Sequence, residues 1–450
     1  MKKATIVGAG LVGSLLSIFL SRKGYKVTIF ERRPDMRKGV AGAGRSINLA
    51  LSDRGWKALK SVGIEKEISE VAIPMYGRAI HKQDGSSSFL AYGKDKQAIY
   101  SVSRGGLNST LMDIAERYGV EILFNERCEG IDLREGNLRL KNFVTREESH
   151  HQSDHIFSTD GAFSAARHEL EMTDRYNYSQ YYLEHGYKEL TIPAVQGEWA
   201  LEKNVLHIWP RENYMLIALP NLDGSFTCTL FFPFEGESSF EALKTESEIH
   251  AFFNRVFPDV VPLMPSLVED YLRNPVSSLI TIKCFPWSYK DKVLLLGDAA
   301  HAIVPFFGQG MNCGFEDCTV LNDLLESHRD DITKVFRDFE RVRKPNTDAI
   351  AELAMQNFIE MRDLVADPKF LLRKKIEGYI NGKYPDKWIP LYSMVTFSDI
   401  PYAEALKAGK RQDEIMEKIM QLENIEKEWD TPQVNEILES MLESEPSFNI

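Results

Sequence analysis

The sequence predicts an α/β (α+β) fold in which a parallel sheet of alternating strands and helices is interleaved with an antiparallel sheet and followed by C-terminal helices. Three observations predict it. Residues 4–31, ATIVGAGLVGSLLSIFLSRKGYKVTIFE, pass from a short apolar strand through a glycine-rich turn and an apolar-periodic helix into a second strand. Residues 293–317, VLLLGDAAHAIVPFFGQGMNCGFED, place a buried strand, an aspartate and a glycine-rich helix start in immediate succession. Between these two stretches, NVLHIWP, YMLIALP and SFTCTLFFPF have the length and patterning of antiparallel strands.

The first element carries GxGxxG at Gly8, Gly10 and Gly13. These glycines supply a tight turn, backbone approach to a pyrophosphate and close helix–strand packing. Glu31, about 20 residues on, can bind a pair of ribose hydroxyls. This element alone does not separate FAD from NAD. Lys2 and Lys3 before an apolar run could imitate a secretory signal, but three glycines interrupt the run. Arg22, Lys23 and Gly24 then follow with no small-residue cleavage site.

In the late element, Val293–Leu296 reads as an interior parallel strand ended by Gly297, so Asp298 stands at a carboxyl end, where such sheets bind ligands. Its carboxylate can accept from polyol hydroxyls. Gly308 and Gly310 allow close backbone approach, and the amides of Met311 and Asn312 open a helix whose dipole favours electron-rich groups. A third element, STDGAFSAARHEL, has Asp160-Gly161 at a turn and Arg167 at the start of a helix. The trio GxGxxG, DG and GD in this order resembles the class A flavoprotein aromatic hydroxylases, in which one Rossmann-like fold binds FAD and NADPH docks transiently. No second GxGxxG occurs.

The resulting organisation has a discontinuous FAD-binding domain over residues 1–70, 101–174 and 281–365. A substrate-binding β-sheet domain covers 71–100 and 175–280, and a C-terminal helical region covers 366–450. At 450 residues the chain exceeds one ordinary core. Helix patterning resumes after Asn346, and beyond residue 403 the chain is acidic, amphipathic and broken by Pro432. Two roles stay open for this tail: covering the substrate chamber, since Tyr392 precedes it, or self-association into a homodimer through its amphipathic face.

A net charge of -12 with pI near 5.5 argues against nucleic acid, whose phosphates would repel such a surface. The local basic cluster Arg32, Arg33, Arg37 and Lys38 has two readings, phosphate or NADPH attraction and a solvated loop. Five scattered cysteines without CxxC spacing fit a reduced, cytoplasmic chain. The ten histidines form no HExxH, and His301 reads as a packing or capping residue; no metal is expected. GxSxG and GxxxxGK[ST] are absent, and no apolar run approaches the roughly 18 residues of a membrane span.

A closer resemblance, to the kynurenine 3-monooxygenase family, rests on GAGLVGSL, GRSINLALSDRG, YGRAIH, SVSRGGLN, YKELTIP, LHIWPR, MLIALPN, SFTCTLF, VPFFGQGMN, NFIEMRD and PLYSMVTFSDI. It runs from about residue 4 to 400 and departs from the animal members in the final 50 residues, where they carry a membrane-seeking segment. The resemblance implies a carboxylate clamp of Arg78, Tyr92 and Asn357, with Tyr392 in the same pocket. Leu206, Ile217, Leu219, Phe231, Pro305 and Phe306 would be the apolar walls. Physically, an Arg fork holds a carboxylate bidentately while a phenol and an amide add directional bonds. Implied FAD contacts are Val12, Glu31, Arg33, Ala50, Arg104, Cys128 by its backbone, Asp298, Met311 and Asn312, with Arg45 near the flavin.

The implied reaction has NADPH reduce FAD, O2 add at the flavin C4a carbon, and the hydroperoxide pass its distal oxygen to the L-kynurenine carbon ortho to the ring amine. The protein's task is then to orient the ring and exclude water. Two other classes stay open. A flavin hydroxylase for another aromatic acid would keep the cofactor motifs without reason to retain Arg78, Tyr92 and Asn357. A non-catalytic binding module on the same fold could dispense with the GD and QGMN elements.

Overall fold

The computed structural model describes residues 2–39, 47–93, 97–329, 331–361 and 367–442. Apolar strand runs build a six-stranded sheet in the order Ser288–Tyr289, Val293–Leu295, His155–Ser158, Lys3–Val7, Lys26–Glu31, Glu121–Phe124. All pairs are parallel except the one between Ser288–Tyr289 and Val293–Leu295. The carboxyl ends of Lys3–Val7, His155–Ser158 and Val293–Leu295 therefore meet at one edge, and each leads directly into one of the three glycine or aspartate motifs. Helices Leu11–Arg22, Arg104–Arg117 and Gly310–Ser327 bury Leu15, Leu111 and Leu321 with Ile6, Ile29 and Leu294 in one core.

The second sheet has seven strands in the order Ser277–Phe285, Asn177–Ile192, Phe226–Pro233, Tyr214–Pro220, Leu206–Arg211, Gly77–His81, Ser87–Ala91. It is antiparallel apart from the parallel pair Leu206–Arg211 and Gly77–His81. Its three central strands Leu206–Arg211, Tyr214–Pro220 and Phe226–Pro233 read as nearly unbroken apolar runs because both of their faces are covered, whereas the edge strand Ser87–Ala91 is exposed. Met215, Leu219 and Phe231 point to one core, while Leu216, Leu230 and Phe232 point to another, roofed by helices Glu246–Val256 and Leu267–Arg273. Two three-stranded sheets, one centred on Ile99–Ser103 and one on Asn137–Asn142, complete the β structure among the described residues.

One element differs from the sequence pattern. The helix expected after Asn346 begins at Ile332, capped by Asp331 through the Lys334 amide (3.3 Å), and continues through Pro345 to Ile359. Phe336, Phe339, Ile350, Leu353 and Phe358 are buried along it, and this packing outweighs the roughly 3 kcal/mol that an internal proline costs. Helices Pro368–Lys383, Tyr402–Met420 and Pro432–Leu442 form their own apolar cluster with Ile376, Trp388, Ile415 and Leu438. Among the described residues no helix is long and apolar enough to cross a membrane.

Candidate active site

A single cavity of about 1110 Å³ lies where the parallel sheet's carboxyl edge meets the inner face of the seven-stranded sheet. It exceeds the roughly 300–1,000 Å³ of ordinary ligand sites, so it has room for a dinucleotide and a small molecule together.

At the dinucleotide end the local chain conformation explains the glycines. Gly8 has φ +97°, and a Cβ there would lie 2.8 Å from the Thr159 carbonyl. Gly13 sits under the turn, with the Gly8 carbonyl 2.1 Å from where a Cβ would be. Gly10, by contrast, faces open space and lines the cavity with Leu11 and Val12. No side chain caps the first turn of Leu11–Arg22 or of Gly310–Ser327, so both N-termini present free amide donors where Gly10, Gly310 and Met311 line the cavity.

Glu31 lies at the rim, its Oε2 accepting from the Ala9 amide (2.9 Å) and its Oε1 from Arg33 N (3.0 Å) and Nε (3.1 Å). Asp298 is exposed to the cavity at the start of a short helix, and Arg104 and Ala50 line it as well. Cys128 also lines it, but burial pushes its thiol up to about 12, so only its backbone suits a cofactor contact. Of the basic cluster, Arg32 and Arg33 line the cavity, whereas Arg37 is committed to Asp35, Asp113 and Glu116. Arg45 lies outside the described residues.

Two expected contacts have their side chains occupied by the chain itself. Asp160 accepts from Ser158 Oγ and from the Ala165 amide (2.7 Å), which shapes the DG turn. Asn312 Oδ1 accepts from Ser52 N (2.9 Å), while its Nδ2 donates to Ala50 and Gly308 carbonyls (2.8 Å each). Arg167, buried, donates to the carbonyls of Ala299 (3.0 Å) and Ala162 (2.6 Å), tying the DG turn to the GD helix. These fixed donors, acceptors and open glycines suit a flavin adenine dinucleotide.

At the other end Leu206, Ile217, Leu219, Phe231, Pro305 and Phe306 line an apolar chamber together with Met215 and Met361. Arg78 and Tyr392 line it too, and the Arg78 guanidinium lies 4.6 Å over the Tyr392 ring and 5.5 Å over that of Tyr92. Tyr92 stacks on Tyr392 with centroids 5.3 Å apart. Burial works against the Arg78 charge, but the Tyr392 and Tyr92 hydroxyls and Glu360 keep it protonated, above the usual arginine range. Burial likewise raises the Tyr92 hydroxyl well above its ordinary value. Among the described residues Arg78 Nε has no hydrogen-bond partner, while Tyr92 stands behind Tyr392 and does not itself line the cavity. A buried donor left unmade costs about 1–3 kcal/mol, so Arg78 in the cavity wall is suited to an acceptor placed there. Asn357 stands behind the wall, its Nδ2 donating to the Phe306 carbonyl (2.6 Å).

Sequence reasoning missed a buried charge network beneath this chamber. Asp317 accepts from His301 Nε2 (2.6 Å), Gly297 N (2.9 Å) and Arg343 Nε (2.7 Å). Arg343 also reaches Glu316 and Cys313 Sγ (3.3 Å). His301, Cys313 and Asp317 have metal-ligand atoms within 4.8 Å of one another, but the Arg343 guanidinium already supplies the positive charge there. The helical spacing of Cys313, Glu316 and Asp317 was the only signal in the sequence.

The description "FAD binding domain" belongs to a family model that matches residues 1–260 and 275–330. A kynurenine 3-monooxygenase of Christiangramia forsetii is 52% identical over 442 residues, 98% of this chain and 99% of that protein. The kynurenine 3-monooxygenase of Flavobacterium johnsoniae is 53% identical over 439 residues, 97% of this chain and 98% of the relative. One from Dictyostelium discoideum is 44% identical over 434 residues, 93% of each chain. Among solved structures, the tetrameric form of 2-methyl-3-hydroxypyridine-5-carboxylic acid oxygenase superposes with a TM-score of 0.67 at 20% identity, covering 82% of this chain and 94% of that one. Tetracycline destructase Tet(51) gives 0.59 at 20% identity over 84% and 98%. At that identity the two structures speak to fold alone. With its three motifs meeting around one cavity and about half its residues shared with these relatives over nearly their full length, the chain belongs to the FAD-dependent kynurenine 3-monooxygenase family.

Proposed function

We infer that this protein is an NADPH-dependent FAD monooxygenase that converts L-kynurenine and O2 to 3-hydroxy-L-kynurenine. The observation that carries the reading is the buried Arg78, with Nε unpartnered and Tyr392 under its guanidinium, at the apolar end of a cavity continuous with the dinucleotide cradle. FAD, reduced by NADPH, supplies the activated oxygen that is transferred to the aromatic ring. Its holders are the turn Gly8 to Gly13 and the Gly310–Ser327 helix start for the charged and electron-rich parts, and Glu31, Arg33, Arg104, Ala50, Cys128 and Asp298 around the rest.

The chain's own residues do the positioning. Arg78 takes the substrate carboxylate, with Tyr392 stacked beneath the guanidinium and Tyr92 behind Tyr392. Leu206, Ile217, Leu219, Phe231, Pro305 and Phe306 hold the ring and keep water away from the reacting carbon. Asn357 acts through the Phe306 carbonyl and Asn312 through the Gly308 turn, so both shape the chamber from behind.

In this reading residues 1–70, 101–174 and 281–365 bind the cofactor, 71–100 and 175–280 supply the substrate walls, and 366–450 cover the chamber. Covering is favoured over homodimer formation because the apolar side chains of the last helices are spent on one another and on the Ile332–Ile359 helix. Five buried, unpaired cysteines support a cytoplasmic setting.

NADPH oxidation by the FAD-loaded protein, measured with and without L-kynurenine, tests the reading. Strong stimulation with a product heavier by one oxygen atom is expected, and no stimulation sinks it. An Arg78→Ala protein should keep FAD and lose kynurenine affinity by about a hundredfold, in line with the 2–5 kcal/mol of a truncated buried charge pair. Unchanged affinity in that variant would remove Arg78 from the site.

A further inference from the structure

Behind the chamber lies a second arginine that the chemistry above does not use. Arg54, on the helix Asp53–Ser61, is 2% exposed. Its Nη1 donates to Glu316 Oε1 (2.6 Å), its Nε to the Val395 carbonyl (3.1 Å), and its Nη2 to the carbonyls of Met394 (3.5 Å) and Ile400. The guanidinium lies 4.0 Å over the Tyr402 ring, and the Tyr402 hydroxyl donates to Gln309 Oε1 (2.8 Å). Glu316 is held from its other side by Arg343.

Both ends of this cluster reach the cavity wall. The Met394 and Val395 carbonyls belong to the short helix Leu391–Thr396, whose second residue is the cavity-lining Tyr392. Gln309 stands between Gly308 and Gly310, which line the cavity at the start of the Gly310–Ser327 helix. A six-residue helix has too few internal hydrogen bonds to hold itself, and its last carbonyls lack intrahelical partners. A planar five-donor fork can satisfy several such carbonyls and a carboxylate at once, which an ammonium cannot do with the same geometry.

We propose that Arg54 is a positioning residue for substrate recognition. It fastens the Leu391–Thr396 helix, and with it Tyr392 under the Arg78 guanidinium, to Glu316 of the Gly310–Ser327 helix and, through Tyr402, to Gln309 at that helix's start. The two ends of the cavity thereby keep one spacing. The recognition half rests on the kynurenine reading above, whereas the fastening half does not.

The test compares the FAD-loaded wild type with Arg54→Gln, Arg54→Lys and the milder Tyr402→Phe, which deletes a single hydroxyl. Amide hydrogen exchange across residues 391–400 needs no substrate. It should accelerate at least about tenfold in Arg54→Gln, and less in Tyr402→Phe, while residues 3–22 exchange as in wild type. Kynurenine titrated against the flavin absorbance should bind about tenfold more weakly to Arg54→Gln, with partial recovery in Arg54→Lys and more H2O2 released per NADPH oxidised. Unaltered exchange over 391–400 overturns the proposal, and so does faster exchange with unaltered kynurenine affinity. If Arg54→Gln does not fold, Tyr402→Phe decides by the same two measurements. If the wild type itself does not bind kynurenine, the functional reading has failed, and the exchange comparison still decides whether Arg54 fastens the helix.

Discussion

At Asp317 two cations meet one buried carboxylate, and the residue scale is where that arrangement has a measurable consequence. Burial opposes the Asp317 charge, but His301 and Arg343 outweigh it and hold the carboxyl below its ordinary value. Burial likewise opposes a proton on His301, yet Asp317 and Cys313 keep the imidazole protonated well above its ordinary range. A raised histidine contributes stability that is fully present below the unfolded value of about 6.5 and is lost as pH rises through the folded value. The lowered aspartate contributes stability present above about 3.9 and lost as pH falls through its folded value. A His301→Asn protein should therefore be less stable than wild type by about 2 kcal/mol between about pH 4 and 6.5. The loss stays below the roughly 3–5 kcal/mol of a fully orphaned charge because Arg343 remains. Denaturant titrations of both proteins across pH check this, and a gap that grows above pH 6.5 would contradict the pairing. The sequence offered His301 only as a packing or capping residue, since its pairing with Asp317 forms when the Asp298–His301 and Gly310–Ser327 helices pack and Arg343 joins from a third.

The three glycines of the first motif differ at the scale of the element. A methyl group at Gly13 would meet the Gly8 carbonyl at 2.1 Å and Thr159 Oγ1 at 2.4 Å, so the Leu11–Arg22 helix would have to move off its strand. Gly13→Ala should cost about 1–3 kcal/mol of stability and FAD binding with it. Gly10 has an ordinary extended backbone, and nothing stands within 4 Å of where its Cβ would be. Gly10→Ala should leave the apoprotein's denaturation midpoint nearly unchanged while weakening FAD binding, because the methyl occupies cofactor space. Equilibrium dialysis with FAD beside apoprotein denaturation separates the two, and equal loss of stability in both variants would refute the distinction. The strand–turn–helix order was legible because period and glycine spacing are local properties. The helix through Pro345 was not, because the local rule against internal proline is overridden by burial of residues on both sides of it.

The cavity joins two sheets, so binding at one end bears on the other at the scale of the whole molecule. FAD at a hundredfold excess over its dissociation constant should stabilise the protein by about 2.7 kcal/mol by mass action. Kynurenine should raise the melting temperature further in the FAD-loaded protein and less in the apoprotein, since FAD and kynurenine would occupy one cavity; equal shifts in both would contradict a shared cavity. The sequence by itself determined the strand–turn–helix units around the cofactor motifs, the order of those three motifs and the apolar strands between them, since these follow from local periodicity and turn chemistry. Only the tertiary structure decided that Asn357 and Asn312 spend their amides on backbone behind the wall. It also joined Arg54, Glu316 and Tyr402 across three helices. Burial and most of these partner choices arise when distant segments pack, so the Asn357–Phe306, Asn312–Ala50 and Arg54–Glu316 pairs lie in no one window of sequence.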